Sequence, residues 1–254
     1  MRFLKLTLAY DGTAYVGWQV QSNGLAIQEV LEQAWTSITQ EKIRITASGR
    51  TDSGVHAIAQ VCSLQTNTSI NNQRLVLALN AQLPFDIRVL KVEDAPVNFH
   101  AIRDAIRKTY RYQLQTGSVH DVFDRQYRWF IPRRLDRQAM SEAAAYLVGK
   151  HDFSSFEAAG AAREHSIRHV TRLAVLPRIH RDYEFVDIEI TADGFLYNMV
   201  RNIVGTLVVI GRGRQPAQWI QQVLAAKDRS VAGETAPAHG LFMVSVQYDL
   251  EFSG

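Results

Sequence analysis

The segment Gly49-Arg-Thr-Asp-Ser-Gly-Val-His56 combines reactive residue types with residues that permit a tight turn. Two glycines bracket Asp52, so the backbone can turn sharply and present that carboxylate at an exposed tip. A carboxylate in such a place can act as a nucleophile or a base, and Arg50 can bind a phosphate or the carboxylate itself. Thr-Asp-Ser-Gly also forms ordinary turns between strands, so the pattern alone leaves both interpretations open.

A second segment, Lys108-Thr-Tyr-Arg-Tyr112, places aromatic residues beside cations. On a strand, Lys108, Tyr110 and Tyr112 share one face while the residues between them point the other way. Aromatic rings next to cations are what a base-stacking surface requires. An aromatic ladder packed against a helix fits the pattern equally well.

The third segment is an apolar helix, predicted from about Phe195 to Ile210, that Arg201 interrupts. An unpaired buried charge is very costly, so Arg201 should be paired, lie at a cleft or extend to solvent. A pair between Asp52 and Arg201 would satisfy both groups. It would also keep Asp52 ionised, because a nearby positive charge lowers the pKa of a carboxylate.

Motifs for metals and bound cofactors are missing. The sequence has neither the Gly-Lys-Ser/Thr ending of a phosphate loop nor three spaced glycines that open a helix. The single cysteine, Cys62, excludes an intrachain disulfide, and it is expected to be a small buried residue on a strand. His165 and His169 lack the glutamate of a zinc-binding helix, so we expect surface residues there. The sequence therefore predicts neither a metal nor a cofactor.

Composition bounds the protein class. The chain has 254 residues, 46% hydrophobic and 21% charged, which excludes intrinsic disorder. No apolar run reaches the ~18 residues that a membrane span needs. The first residues alternate like a strand and do not resemble a signal peptide, so a soluble, cytoplasmic protein is expected.

The charge distribution is uneven. The net charge is only +3, yet there are 22 arginines against 6 lysines, and residues 100–181 contain 15 basic and 8 acidic residues. Arginine presents a planar fork of donors that fits phosphate oxygens and stacks on bases. The excess suggests a polyanionic partner, although solvated arginines on ordinary faces give the same composition.

The apolar periodicity predicts two similar halves, each ordered strand–helix–strand–strand–helix–strand. In the first half, apolar residues recur at helical spacing from Ile27 and predict a helix. We also predict a second helix at 71–82 and strands at 3–10, 42–47, 56–65 and 86–93. In the second half, besides the Arg201 helix, we predict helices at 136–148 and after Pro216. We predict strands at 105–116, 167–176, 183–191 and 241–250.

This order is the split βαβ arrangement of ferredoxin-like units. The expected fold class is α+β, with two βαββαβ halves packed around a mixed or antiparallel central sheet with a basic cleft. We expect an N-terminal half at 1–100 with the Asp52 loop, and a C-terminal half at 101–254 with the tyrosine strand and the arginine helix.

Together these segments resemble the tRNA pseudouridine synthase A family, over nearly the whole chain. The resemblance is carried by the segment Ser48-Gly-Arg-Thr-Asp-Ser-Gly-Val-His-Ala57. It extends to other segments in the same order, and the combination is highly specific. They are Tyr10–Gln21, Ile27–Glu32, Phe99–Ala101, Lys108–Tyr112, His151–Phe156, Asn198–Gly205 and Leu224–Arg229.

The resemblance implies a pseudouridine synthase fold and an isomerase of uridine at positions 38, 39 and 40 of the tRNA anticodon arm. It implies a homodimer that needs no cofactor or metal. By position, Asp52 corresponds to the nucleophile, and Tyr110 to the tyrosine that lies against the target uracil. Arg201 corresponds to the arginine paired with the nucleophile, and Arg50 to an RNA contact that helps displace the base. The alternatives are a non-catalytic RNA-binding protein with the same basic surface and a small-molecule enzyme that uses Asp52 as a general base.

Overall fold

A computed structural model gives the fold for residues 1–160, 165–180 and 183–249. The first part of the chain forms β1 (Arg2–Tyr10), α1 (Ile27–Thr39), β2 (Thr46–Ala47), β3 (His56–Thr66), α2 (Asn72–Gln82) and β4 (Ile87–Ala95). The remainder forms β5 (Ala105–Thr116), β6 (Trp129–Ile131), α3 (Arg137–Ala145), β7 (Gly149–Asp152), β8 (Ile167–His180), β9 (Tyr183–Ala192), α4 (Met199–Gly211), α5 (Trp219–Ala226) and β10 (Leu241–Tyr248). These elements confirm the α+β class.

The chain divides into two compact units. The first contains Met1–Ile106 together with the C-terminal segment from Phe242, and the second contains Arg107–Leu241. The last strand, which the sequence grouped with the second half, pairs in parallel with β3 at His56 and Ala57. The two-residue strand β2 pairs antiparallel with β3 at Cys62 and Ser63.

In the first unit, β1 lies between β3 and β4 and pairs antiparallel with both. Because β2 pairs antiparallel with the other edge of β3, β3 separates β1 from β2, as a split βαβ unit requires. Leu4, Leu6 and Leu8 are completely buried, which confirms the period of two that predicted β1. The helix α2 begins as predicted, with the side chain of Asn71 accepting from the amide of Arg74 at 2.9 Å.

In the second unit, β9 lies between β5 and β8 and pairs antiparallel with both, and β7 extends the sheet beyond β8. The short strand β6 pairs in parallel with the end of β5. The helix α3 begins at Asp136, whose carboxylate accepts from the amide of Ala139 at 3.0 Å. This unit repeats the split arrangement, since β9 separates β5 from β8.

Several predicted boundaries are wrong, each for a local reason. The strand at 42–47 is reduced to β2. The helix at 136–148 ends at Ala145, before Gly149 at φ +119° opens β7. The helix predicted from Phe195 begins at Met199, because Asn198 at φ +58° is in the left-handed region and cannot continue a right-handed helix. Along the described residues, no helix combines the length and apolarity of a membrane span.

Candidate active site

Asp52 lies at the first position of a tight turn between β2 and β3. The amide of Val55 donates to the carbonyl of Asp52 at 3.1 Å, which closes the turn. Gly54 has φ +75°, a conformation that favours glycine at the third position of such a turn. The side chain of Asp52 is half-buried and Arg50 is exposed. Gly54 therefore lies in a defined turn, as the sequence indicated, whereas Gly49 precedes that turn and Asp52 is less exposed than predicted.

A second segment, Asp11–Trp18, packs on this turn at main-chain distance, and we call it the glycine loop. The amide of Trp18 donates to the carbonyl of Thr51 at 3.0 Å, and Gly17 and Asp52 form an isolated antiparallel bridge. A Cβ atom at Gly17 would lie 2.6 Å from the carbonyl oxygen of Thr51, and one at Gly12 would lie 2.0 Å from that of Val55. Only glycine permits this approach, so the peptide that carries Asp52 is fixed by backbone contacts.

Buried side chains also hold the segment that carries Asp52 through hydrogen bonds. The hydroxyl groups of Tyr10 and Thr51 are hydrogen-bonded at 2.8 Å, and the amide of Gln60 donates to the carbonyl of Gly49 at 2.9 Å. The hydroxyl of Ser48 donates to the carbonyl oxygen of the Gln60 side chain at 2.7 Å. Burial raises the pKa of Tyr10 well above its ordinary range, so its hydroxyl remains a neutral hydrogen-bonding group.

His56, at the start of β3, connects the turn to the glycine loop. Its Nδ1 accepts from the amide of Gly12 at 3.0 Å, and its ring stacks on Phe242 with 4.7 Å between centroids. The imidazole is almost completely buried. His56 therefore holds the loop, a role that its place in the sequence motif did not specify.

Tyr110 lies on β5 in the second unit, opposite Ile190 of β9. Its ring is buried and meets the ring of Phe195 edge-on at 4.9 Å. Tyr112 on the same face is completely buried, and its hydroxyl donates to the carbonyl of Pro237 at 2.7 Å. The predicted aromatic face exists, and at Tyr112 it belongs to the core of this unit.

Arg201 occupies the first turn of α4 and is half-buried. Its Nε donates to the carbonyl of Ala236 at 2.7 Å, and its Nη1 donates to Oδ1 of Asn198 at 3.0 Å. Ala236 belongs to residues 233–240, which we call the strap. The guanidinium is therefore held by the strap and by the residue that precedes the helix. Arg50 and Asp52 belong to the first unit, and Tyr110 and Arg201 to the second.

Asn202 on the arginine helix and its partners Phe156, Arg229 and Thr235 were not predicted as site residues. Asn202 is completely buried, and its Oδ1 accepts from Thr235 Oγ1 at 2.6 Å and from Arg229 Nη2 at 3.0 Å. Its Nδ2 donates to the carbonyl of Phe156 at 2.8 Å. The available signal was the presence of Asn202, Phe156 and Arg229 in three of the matched segments. Their spacing along the chain gives no sign that they meet.

The basic middle of the chain is extensively ion-paired. Arg111 binds Glu189 at 2.7 Å, and Arg172 binds the same carboxylate at 3.1 Å. Arg178 lies 2.9 Å from the carboxylate of Asp187, whose pKa burial raises despite the nearby arginines. A large part of the arginine excess therefore balances carboxylates on β9. The surplus over residues 100–181 overstates the charge that these arginines offer to an anion.

Comparison with known proteins places this arrangement in a family. A family model described as tRNA pseudouridine synthase matches residues 7–103 and 143–249, which include the Asp52 loop and α4. A solved Cbf5–Nop10–Gar1 complex is similar over 94% of this chain and 48% of that chain, with 11% identity and a TM-score of 0.38.

Curated relatives match over nearly their whole length. The tRNA pseudouridine synthase A of Moorella thermoacetica is 46% identical over 250 residues, or 98% of this chain and 100% of the relative. That of a Thermoanaerobacter species is 42% identical over 248 residues, with the same two coverages. That of Halalkalibacterium halodurans is 45% identical over 95% of this chain and 90% of the relative. The chain belongs to the tRNA pseudouridine synthase family.

Proposed function

We propose that this protein isomerises uridine to pseudouridine at positions 38, 39 and 40 in the anticodon arm of tRNA. The reaction breaks the N1–C1′ bond of uridine, turns the uracil and joins C5 to C1′, while C5 releases its hydrogen and N1 gains one. No atom is oxidised overall, so the chemistry needs no redox cofactor. The family match and relatives at 42% and 46% identity support an isomerase that acts on tRNA.

In this proposal, Asp52 is the nucleophile. An ionised carboxylate can attack an electrophilic carbon, or stabilise an electron-deficient one, when it is close and held in place. The observation that carries the proposal is the packing of the glycine loop on the Asp52 turn at main-chain distance, while Asp52 itself is only half-buried. A turn that only joins two strands needs no second loop against its backbone.

The other predicted residues take roles that follow from their chemistry. The target uridine must leave its stack, at a cost of a few kcal/mol, and Tyr110 provides a ring against which the detached uracil rests. Arg201 pairs with Asp52 and keeps it ionised. Arg50 is exposed, as a residue that contacts RNA and helps displace the base must be.

The proposal extends to partners and location. The substrate is tRNA, the enzyme works as a homodimer without metal or cofactor, and it acts in the cytoplasm. Light scattering on the purified protein tests the dimer, since the chain mass is 28.7 kDa. A mass near twice that value is expected, and a mass of one chain contradicts the dimer.

The variant Asp52→Asn tests the function itself. We expect pseudouridine formation to fall by roughly a thousandfold or more, because a neutral amide is neither nucleophile nor base. Chemical mapping of pseudouridine on unmodified tRNA gives the rate, and salt-dependent tRNA binding is measured in parallel. Asp136→Asn is the matched control, since asparagine caps a helix as well as aspartate does. Wild-type turnover by Asp52→Asn would contradict the proposal, and a wild-type protein that binds tRNA without turnover would favour the RNA-binding alternative.

A further inference from the structure

The strap holds Arg201 through one peptide unit. The carbonyl of Ala236 accepts from Nε of Arg201 at 2.7 Å, and the amide of Ala236 donates to the backbone carbonyl of Arg201 at 3.1 Å. Both ends of the arginine are thus tied to the same residue of the strap. Any movement of Ala236 must move or release the guanidinium.

A hydrogen-bonded cluster, in which Asn202 and Thr206 are buried and the other two residues are half-buried, fixes the strap to α4. The cluster consists of Asn202, Thr206, Arg229 and Thr235. Thr235 donates to Asn202 Oδ1 at 2.6 Å and accepts from Arg229 Nη2 at 2.9 Å, while Arg229 also donates to Asn202. The Thr206 hydroxyl accepts from the amide of Gly233 at 3.0 Å. The oxygen of the Asn202 side chain therefore has both acceptor sites filled, one of them by the strap residue next to Ala236.

The backbone contact between strap and helix is as close as in the Asp52 turn. A Cβ atom at Gly205 would lie 1.7 Å from the carbonyl oxygen of Glu234, and one at Gly233 would lie 2.7 Å from Thr206 Cα. These contacts restrain 233 and 234, at the start of the strap. The hydroxyl of Thr235 restrains the strap at the position directly before Ala236.

We infer that Thr235 is a positioning residue for the reaction, which sets Ala236 against Arg201 through its hydrogen bonds to Asn202 and Arg229. Thr235 contacts neither the reacting atoms nor the guanidinium of Arg201 in any bond described above, so its effect passes through the strap. The inference rests on the proposed function, in which Arg201 pairs with the nucleophile Asp52. It adds a specific requirement, because the cation must be held in one geometry to serve that carboxylate.

The test compares Thr235→Val, which keeps the shape but removes the hydroxyl, with Thr235→Ser, which keeps the hydroxyl. We expect Thr235→Val to lower kcat by roughly tenfold with KM for tRNA within about twofold, and Thr235→Ser to retain most of the activity. Thr171→Val is the matched control, because its hydroxyl makes a 3.3 Å bond to Thr191 outside the cluster. Release of tritium from C5-labelled uridine in tRNA gives the rates.

A double-variant cycle separates positioning from a general structural role. In an Arg201→Ala background, Thr235→Val should have no further effect on kcat, since the group that it positions is gone. Equal losses of kcat in both backgrounds, or a wild-type kcat for Thr235→Val, would overturn the inference. Asp52→Asn distinguishes the proposed function from the positioning role of Thr235. If it is inactive while Thr235→Val is fully active, the function stands and only the positioning role fails.

Discussion

The Asp52 turn and the Arg201 helix are held in place by different means. In the first unit, Gly12 and Gly17 bring one loop against another at main-chain distance, so the backbone positions the carboxylate. In the second unit, Asn202 and Thr235 anchor the strap that binds the guanidinium, so side-chain hydrogen bonds contribute to the position of the cation. Both units contain a glycine at which a Cβ would meet backbone.

The difference has a chemical reason. The side chain of an aspartate is short and has only two rotatable bonds. Fixing the peptide of Asp52 therefore leaves its carboxylate oxygens few possible positions. The long side chain of Arg201 has several rotatable bonds, and it must be held near its charged end. We therefore expect backbone changes to reduce activity most strongly at the Asp52 turn. Loss of a single side-chain hydrogen bond should reduce activity more around Arg201 than around Asp52.

Among the variants that test this difference between the two units, Gly17→Ala should have the largest effect. Gly17 has φ +110°, and a Cβ there would lie 2.6 Å from the carbonyl oxygen of Thr51, so the substitution combines backbone strain with a clash. We expect the free energy of unfolding to fall by about 3 kcal/mol and activity to fall about a hundredfold. Denaturant titration and a turnover assay measure the two effects.

The control for this variant is Gly213→Ala. Gly213 also has a positive φ, +69°, but a Cβ there would meet nothing within 4 Å. We expect a loss of about 1 kcal/mol from strain alone, with unchanged turnover per folded molecule. If the two variants lower turnover equally, the close approach of the glycine loop is not what positions Asp52.

A matched pair of tyrosines gives an intermediate effect. Tyr10→Phe removes the hydroxyl bonded to Thr51 at 2.8 Å, and Tyr112→Phe removes the hydroxyl bonded to Pro237 of the strap at 2.7 Å. Each change should lower the free energy of unfolding by about 1 kcal/mol. Activity should fall by roughly threefold for Tyr112→Phe and less for Tyr10→Phe, where the backbone contacts remain. Steady-state rates measure both losses. A larger loss of activity for Tyr10→Phe than for Tyr112→Phe would contradict the proposed difference between the two units.

The smallest expected effect is a dependence of stability on pH that arises in the second unit. Burial, together with the charges of His120 and Arg201, lowers the pKa of His239 below its ordinary value of 6.5. The folded state therefore resists protonation of this ring. The stabilisation is complete above pH 6.5 and is lost as the pH falls below that value toward the lowered pKa of the folded state.

His239→Gln should flatten that part of the stability curve. The Nε2 of His239 donates to the carbonyl of Arg128 at 3.1 Å, and a glutamine amide can donate in the same way. Thermal unfolding between pH 5 and 8 measures the change for the variant and the wild type. Parallel curves for the two proteins would show that another group carries the dependence.

The elements with strong local patterns were predictable. The period of two in β1, the helix at 71–82 and the complete strand at 105–116 were predicted correctly, because each depends on neighbours along the chain. The strands β6 and β7 were missed. They contain three and four residues, and only pairing with β5 and β8 makes them strands. Short segments of this kind have no pattern of their own.

The candidate site divides in the same way. The sequence identified Arg50, Asp52, Tyr110 and Arg201 as residues of interest, from a glycine-bracketed carboxylate, an aromatic strand and a charge on an apolar helix. Their proposed roles came from the family resemblance. The sequence did not indicate that Thr235 meets Asn202, because 33 positions separate them.

By itself, the sequence determined the α+β class, the order of most elements, the turn at Asp52 and the family. The class, the order of the elements and the turn follow from residue type and short-range periodicity, which act over a few neighbouring positions, whereas the family follows from the resemblance of several motifs in the same order. The tertiary structure alone decided which loop packs on Asp52, what holds Arg201, and that carboxylates of β9 bind Arg111, Arg172 and Arg178. Those contacts join residues distant in the chain, and only the packing of one element on another brings their atoms within bonding distance.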